Sequence, residues 1–244
     1  MKIYAMTEKG DHRENQDRIL INDNIISDGF FETESNEQTI ICVADGVGGN
    51  NAGAVASSFV CENLKNAVSI DKNSLIDINT QLLEKSVGDA NLRGMATTLS
   101  GICIDDTAAT IFHIGNTRLY VFQGNYIKQI TEDHTSVNWL VKTGKLSKKE
   151  TKTYDRRNEI TACFGGGNPT LINSLVYVEN DDSLLNTKKM VLTSDGVHEY
   201  VSVDELEDVL NNDSLEPQSM CNEILNIAKA NGSTDDKSII IIDR

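Results

Sequence analysis

The chain has 244 residues, with 22 lysines and arginines against 37 aspartates and glutamates, a formal charge of −15 at pH 7. A phosphate backbone would meet repulsion over most of such a surface, which argues against a nucleic-acid ligand. No run approaches the roughly 18 apolar residues that cross a bilayer, and the first residues, MKIYAMTEKGDHRENQD, lack the apolar core of a signal peptide. A soluble cytoplasmic protein with no membrane partner is expected.

The length suits one domain over residues 1–244, since no Pro/Gly/Ser-rich linker divides the chain. The five cysteines, Cys42, Cys61, Cys103, Cys163 and Cys221, are odd in number and form no CxxC pair. They read as buried, reduced thiols that pack like small hydrophobes.

In chain order, β-branched runs at 18–21 and 39–44 read as strands. A helix follows, with Ala52, Val55, Ala56, Phe59, Val60, Leu64 and Ala67 on one face, and a weaker helical segment covers 74–90. Strands are expected at 97–104, 108–114, 118–122 and 126–130, with Gln123, Gly124 and Asn125 as a hairpin turn that makes this part antiparallel. The stretch 136–159 is polar and rich in lysine and arginine, with helix-like fragments and no strong apolar face, so an exposed flap at about 136–160 is expected. Strands at 171–178 and 188–192 come next. Ser202 and Glu205 then form a capping box ahead of Leu206, Val209 and Leu210, and Met220, Ile224 and Ala228 mark a helix ending near Gly232. A last strand covers 237–242. Strand groups with helix pairs set apart from them imply an α+β fold of antiparallel sheets covered by helices.

Four aspartates each sit in a short motif, three of them adjoining an apolar strand-like segment: Asp17 in RENQD, Asp45 in VADGVGG, Asp195 in LTSDG and Asp236 in STDDKSIIII. Each alone is an ordinary polar turn. Together they form the kind of carboxylate cage that hard divalent cations require. Gly46 lets the backbone come close enough to offer its carbonyl to an ion, and Gly48 and Gly49 permit a turn that a side chain would block. The pattern is that of a metal-dependent hydrolase.

These motifs resemble, in order and over nearly the whole chain, the metal-dependent Ser/Thr protein phosphatases of type 2C, the PPM family, in their compact bacterial form. The segments that carry the likeness are ENQDR, VADGVGG with NAGAVAS, MATTLSG, HIGNTRLYVF, ITEDHT, ITACFG, LTSDG and the terminal DDKS. The resemblance implies two antiparallel β-sheets packed as a central sandwich flanked by helix pairs, in α-β-β-α layers, with two Mn²⁺ or Mg²⁺ ions in a cleft at one end. Carried over, Asp45 bridges the ions, the Gly46 carbonyl binds one, Asp195 and Asp236 bind the other, and Asp17 acts mainly through a metal-bound water. A hydroxide bridging the ions would attack the phosphorus of phosphoserine or phosphothreonine directly.

The chain departs from the family's pattern at several positions. The phosphate-binding arginine of the family lies five residues before the aspartate of NQD, which is His12 here; a loop one residue shorter places Arg13 there. Asn116 replaces an aspartate that helps to hold a third ion, a weaker ligand that leaves that ion open. Val47 stands where many eukaryotic members carry a proton-donating histidine, which bacterial relatives commonly lack as well. His134 reads as a structural hydrogen-bonding residue and Cys42 as packing. Glu199 is either a residue that orients a metal-bound water or a solvated side chain, and Trp139 either contacts a peptide or covers a flap core.

The expected partners are phosphorylated proteins and a Ser/Thr kinase that the enzyme opposes, with the chain as a monomer. The alternative is a catalytically weak phosphoprotein-binding or regulatory module with the same fold, for which His12 and Asn116 would be the signs.

Overall fold

The protein is described by a computed structural model over residues 1–47, 52–147, 149–154, 156, 159–166 and 169–244. Gly48 and Gly49 lie outside the described residues. The chain opens with β1 (Lys2–Glu8), β2 (Arg18–Ile21), β3 (Asn24–Ile26), β4 (Gly29–Glu34), β5 (Thr39–Ala44) and the short β6 (Gly46–Val47). Helices α1 (Ala52–Lys65) and α2 (Lys72–Gly88) follow. Then come β7 (Ala96–Thr97), β8 (Leu99–Ile104), β9 (Ala109–Ile114), β10 (Arg118–Gln123) and β11 (Tyr126–Gln129). The flap region holds α3 (Ser136–Lys142), and α4 (Pro169–Leu175) leads to β12 (Tyr177–Asn180) and β13 (Lys189–Thr193). The chain closes with α5 (Asp195–His198), α6 (Val203–Leu210), α7 (Pro217–Ala230) and β14 (Lys237–Asp243).

Two six-stranded sheets carry the fold, ordered β11-β10-β13-β14-β1-β4 and β12-β9-β8-β5-β2-β3. Every pairing within them is antiparallel. The central strands are apolar at nearly every position because both of their faces are covered. Successive side chains in a strand point to opposite faces: Ile19, Ile21, Ile41, Val43, Ile240 and Ile242 fill the space between the sheets with Ile3, Leu119 and Leu192. The alternate residues Leu20, Cys42 and Ala44 pack outward against Ala56, Val60 and Leu64 of α1 and Leu75 and Leu82 of α2. On the other side Ile239, Ile241 and Val191 meet Leu206, Leu210, Ile224 and Leu225 of α6 and α7. The layering is therefore α-β-β-α, as expected for an α+β fold.

Residues 171–178, read as a strand, are instead the end of α4 followed by the start of β12. Pro169 suits the first turn of a helix. Ile172, Leu175 and Val176 then fall on one helical face against the core beneath α1 and α2. Strands β1, β3 and β4 are additions to the sequence reading. In β1, Ile3 and Ala5 point into the sandwich while Tyr4 and Met6 face α7, a short alternation that polar neighbours obscure. The helix expected after Ser202 is present with its capping box, Ser202 and Glu205 each bonding the other's backbone amide. All five cysteines are free thiols. Among the described residues, no helix is long and apolar enough to cross a membrane.

Candidate functional site

The sandwich delivers four acidic segments to one end. Asp45 follows β5, Asp195 opens α5 directly after β13, Asp17 precedes β2, and the Asp235-Asp236 pair precedes β14. Asp45 is fixed through its backbone: its carbonyl accepts from the Thr98 amide (2.8 Å) and the Thr97 hydroxyl (2.9 Å), and its amide donates to the Thr98 hydroxyl (3.2 Å). At Gly46 a Cβ would run into the Gly53 backbone and the Gln16 carbonyl. Only glycine allows α1 and the segment before β2 to close on this turn.

Asp17 is buried, and its Oδ2 accepts from the hydroxyls of Ser194 and Ser238, both at 2.7 Å. Its Oδ1 is buried, with no hydrogen-bond partner among the described residues. Asn116 donates from Nδ2 to Asp195 Oδ2 (2.9 Å), and its own Oδ1 is likewise buried and unpartnered. Unpartnered buried acceptors are costly.

The carboxylates disturb one another strongly. Burial, followed by the charges of Asp195, Asp17 and Asp235, drives the Asp45 carboxyl well above the usual range. Asp17 is pushed up to about 7, chiefly by burial and then by Asp236 and Asp195, against the lowering effect of its two serine bonds. Asp195 is pushed up to about 6, by burial and by the charge of Asp235, with Asn116 pulling the other way. A cluster of oxygen donors that resists ionisation and leaves buried lone pairs unused fits a hard divalent cation, which supplies the missing positive charge.

The structure brings Asp17, Asp45 and Asp195 together. It places Asp236 differently from its neighbour. Asp236 Oδ1 accepts from the Gly10 amide (2.7 Å), and Oδ2 accepts from the Gln16 amide (2.7 Å) and lies 3.0 Å from His12 Nδ1. It is Asp235 whose charge acts on both Asp45 and Asp195. Asp235 is the functional candidate that sequence reasoning passed over, and the available signal was the doublet itself. The two carboxylates differ in what they meet: Asp236 is buried against the Gly10 and Gln16 amides and bears on Asp17, whereas Asp235 bears on Asp45 and Asp195.

The remaining singled-out residues take structural places or lie at the rim. Arg13 is exposed, and no hydrogen bond or ion pair to it is found among the described residues. His134 Nδ1 accepts from the Gly115 amide (3.1 Å), a structural bond. His198 is buried with Nδ1 2.9 Å from the Thr193 hydroxyl, and burial holds its pKa well below the usual value. Cys42 is fully buried against the Cys61 thiol, and burial pushes it well up, which suits packing and not nucleophilic attack. Helix α3 buries no residue, so among the described residues no flap core is seen beneath Trp139. It lies exposed beneath Lys145 Nζ, 4.5 Å from the ring centroid, at a cavity of about 470 Å³.

Residues 14–235 match the family model described as Protein phosphatase 2C. The chain belongs to the protein phosphatase 2C family. This phosphatase is 31% identical over 226 residues to Protein phosphatase PhpP of Streptococcus pneumoniae, covering 87% of its own length and 85% of the relative's. It is 29% identical over 232 residues to Serine/threonine phosphatase stp of Listeria monocytogenes, covering 88% of each chain. Its fold superposes on the crystal structure of Serine/threonine phosphatase Stp1 from Staphylococcus aureus with a TM-score of 0.80 at 28% identity, over 99% of this chain and 94% of that one. The Mycobacterium tuberculosis phosphatase PstP/Ppp shares the fold with the same TM-score of 0.80 at 21% identity, over 100% and 99% of the two chains.

Proposed function

We propose that this phosphatase hydrolyses phosphoserine and phosphothreonine in proteins, using two divalent ions, Mn²⁺ or Mg²⁺, and that it opposes a Ser/Thr kinase in the cytoplasm as a single-domain monomer. The observation that carries the metal dependence is the packing of Asp17, Asp45 and Asp195 with their ionisation suppressed and with Asp17 Oδ1 buried and unpartnered. The names of the Streptococcus and Listeria relatives support the reaction class.

The residues that would hold the ions are Asp17, Asp45, the Gly46 carbonyl, Asp195 and Asp235, with Asp236 in a supporting role through its carboxylate, which accepts from the Gly10 and Gln16 amides. Bound ions of this kind supply a nucleophile from water at neutral pH and offset charge on the phosphoryl oxygens. Around them, Ser194 and Ser238 fix the orientation of Asp17, and Asn116 fixes that of Asp195. Thr97 and Thr98 lock the backbone that carries Asp45. Rigid support of this sort is what keeps a reacting geometry aligned.

Arg13 is the proposed contact for the substrate phosphate. A guanidinium fork binds two phosphate oxygens at once, and Arg13 stands exposed on the same loop as His12, with no hydrogen bond or ion pair found for it among the described residues. In steady-state assays on a phosphothreonine peptide, Arg13→Ala is expected to raise KM about tenfold or more, the loss of one charge-assisted pair. Mn²⁺ affinity should stay near wild type. An unchanged KM would move the phosphate contact elsewhere.

Asn116 bears on the third ion. Its Nδ2 already serves Asp195, so only one neutral carbonyl oxygen remains to ligate. Asn116→Asp is expected to increase the number of Mn²⁺ ions bound at equilibrium dialysis and to raise activity at low Mn²⁺. Unchanged stoichiometry together with unchanged kinetics would remove this residue from the metal centre.

A further inference from the structure

Residues 10–16 are stitched to the turn before β14 at several points. The Asp11 amide donates to the Thr234 carbonyl (2.8 Å), and the Gly10 and Gln16 amides donate to Asp236. A Cβ at Gly10 would collide with the backbone of Thr234 and Asp235, so the two segments lie in close backbone contact. His12 rides on this strap. Its side chain is 45% exposed, yet the backbone that carries it is held by the same turn that presents Asp235.

His12 Nδ1 faces two carboxylates, 3.0 Å from Asp236 Oδ2 and 3.7 Å from Asp235 Oδ1, and donor atoms of all three residues lie within 4.8 Å of one another. Nitrogen and oxygen ligands about 2.0–2.2 Å from a common ion stand roughly 3–3.5 Å apart, so these separations fit a shared cation after a small adjustment. Among the described residues, no lysine or arginine forms an ion pair with Asp235 or Asp236. The adjoining Asp17 is 1% exposed with Oδ1 unpartnered, and among titratable neighbours Asp236 acts on it most strongly. Lys237 Nζ donates to the Asp235 backbone carbonyl (2.8 Å) and not to either carboxylate, so among the described residues the segment presents negative charge, an unused oxygen lone pair and one imidazole with no cation paired to the carboxylates.

We propose that His12 is a ligand of the metal centre, giving its imidazole nitrogen to a divalent ion held together with Asp235. The proposal rests on the metal-dependent reading above and extends it. A centre of oxygen donors alone accepts Mg²⁺ and Mn²⁺, and an added imidazole shifts preference toward later divalent ions such as Co²⁺ and Zn²⁺. His12 therefore sets which ion this phosphatase selects, while Arg13 on the same loop serves the substrate.

Two measurements on the metal-stripped full chain test this. Pulsed EPR of the Mn²⁺-loaded protein is expected to show a coupling to imidazole ¹⁴N that disappears in His12→Ala. The signal is assignable, because His113, His134 and His198 are bonded within the fold to Ser100, Gly115 and Thr193. In calorimetric titrations, His12→Ala is expected to weaken Co²⁺ and Zn²⁺ by more than about 100-fold, beyond the range of a supporting residue, and Mg²⁺ by less than about threefold. His12→Gln should retain Mg²⁺ and lose the nitrogen coupling. Mn²⁺ binding without any ¹⁴N coupling, with Co²⁺ affinity equal in wild type and His12→Ala, would overturn the role of His12 and leave the metal-dependent reading intact. Failure of the wild-type chain to bind Mn²⁺ at all would overturn both.

Discussion

In Asp45→Ala and Asp195→Ala, kcat for a phosphothreonine peptide is expected to fall on the order of 10³-fold or more, because a lost ion removes several kcal/mol of transition-state stabilisation and each 1.36 kcal/mol is a factor of ten. The metal-free variants should nevertheless fold. Burial and like charges push these carboxyls up in the native state, so removing one relieves repulsion, and the melting temperature without metal is expected to equal or exceed that of wild type. Lost activity with retained stability would separate a chemical role from a structural one. Near wild-type turnover in both variants would remove these residues from the centre.

The same shifts set a pH dependence for the ions. Asp17 at about 7 and Asp195 at about 6 bind protons more tightly in the folded chain than in the unfolded one, so their protonated forms compete with a cation. Mn²⁺ affinity is expected to rise between about pH 5.5 and 7.5 as those protons are displaced. Titration calorimetry in buffers of different ionisation enthalpy reads the released protons directly. Affinity that is flat over this interval, with no proton release, would contradict the assignment.

A second large effect separates the neighbours Asp235 and Asp236. Asp235 acts on Asp45 and Asp195, whereas Asp236 receives the amides of Gly10 and Gln16 and faces His12. Asp235→Ala is expected to abolish turnover and weaken Mn²⁺ binding by well over 100-fold, beyond the roughly 10–100-fold typical of a supporting residue. Asp236→Asn keeps one acceptor oxygen and should hold activity within that supporting range while lowering the melting temperature, since one buried amide loses its partner. The reverse order of effects would make Asp236 the ligand.

Much of this architecture was legible because burial on both faces writes long apolar runs such as SIIIID, and because four polar turns interrupt such runs at strand ends. The layers followed from that pattern and from the helix faces of α1, α6 and α7. The segment 171–178 was misread because short apolar runs carry too little periodicity to separate a helix from a strand. Edge pieces such as β3 and β4 expose alternate residues and carry little of that signal. In the site, residue types revealed which segments converge, but not which of two adjacent aspartates bears on Asp45 and Asp195. That choice depends on the register of β14 and on the Gly10 strap, which comes from the other end of the chain. The link between His12 and Asp236 spans 224 positions and leaves no local trace in the sequence.

The most direct test of the central claim is phosphate release from a phosphothreonine peptide by protein stripped with EDTA and then reloaded. The stripped protein should be inactive, and added Mn²⁺ or Mg²⁺ should restore hydrolysis in wild type but not in Asp45→Ala. Full hydrolysis by the stripped protein would contradict metal-dependent catalysis at this site.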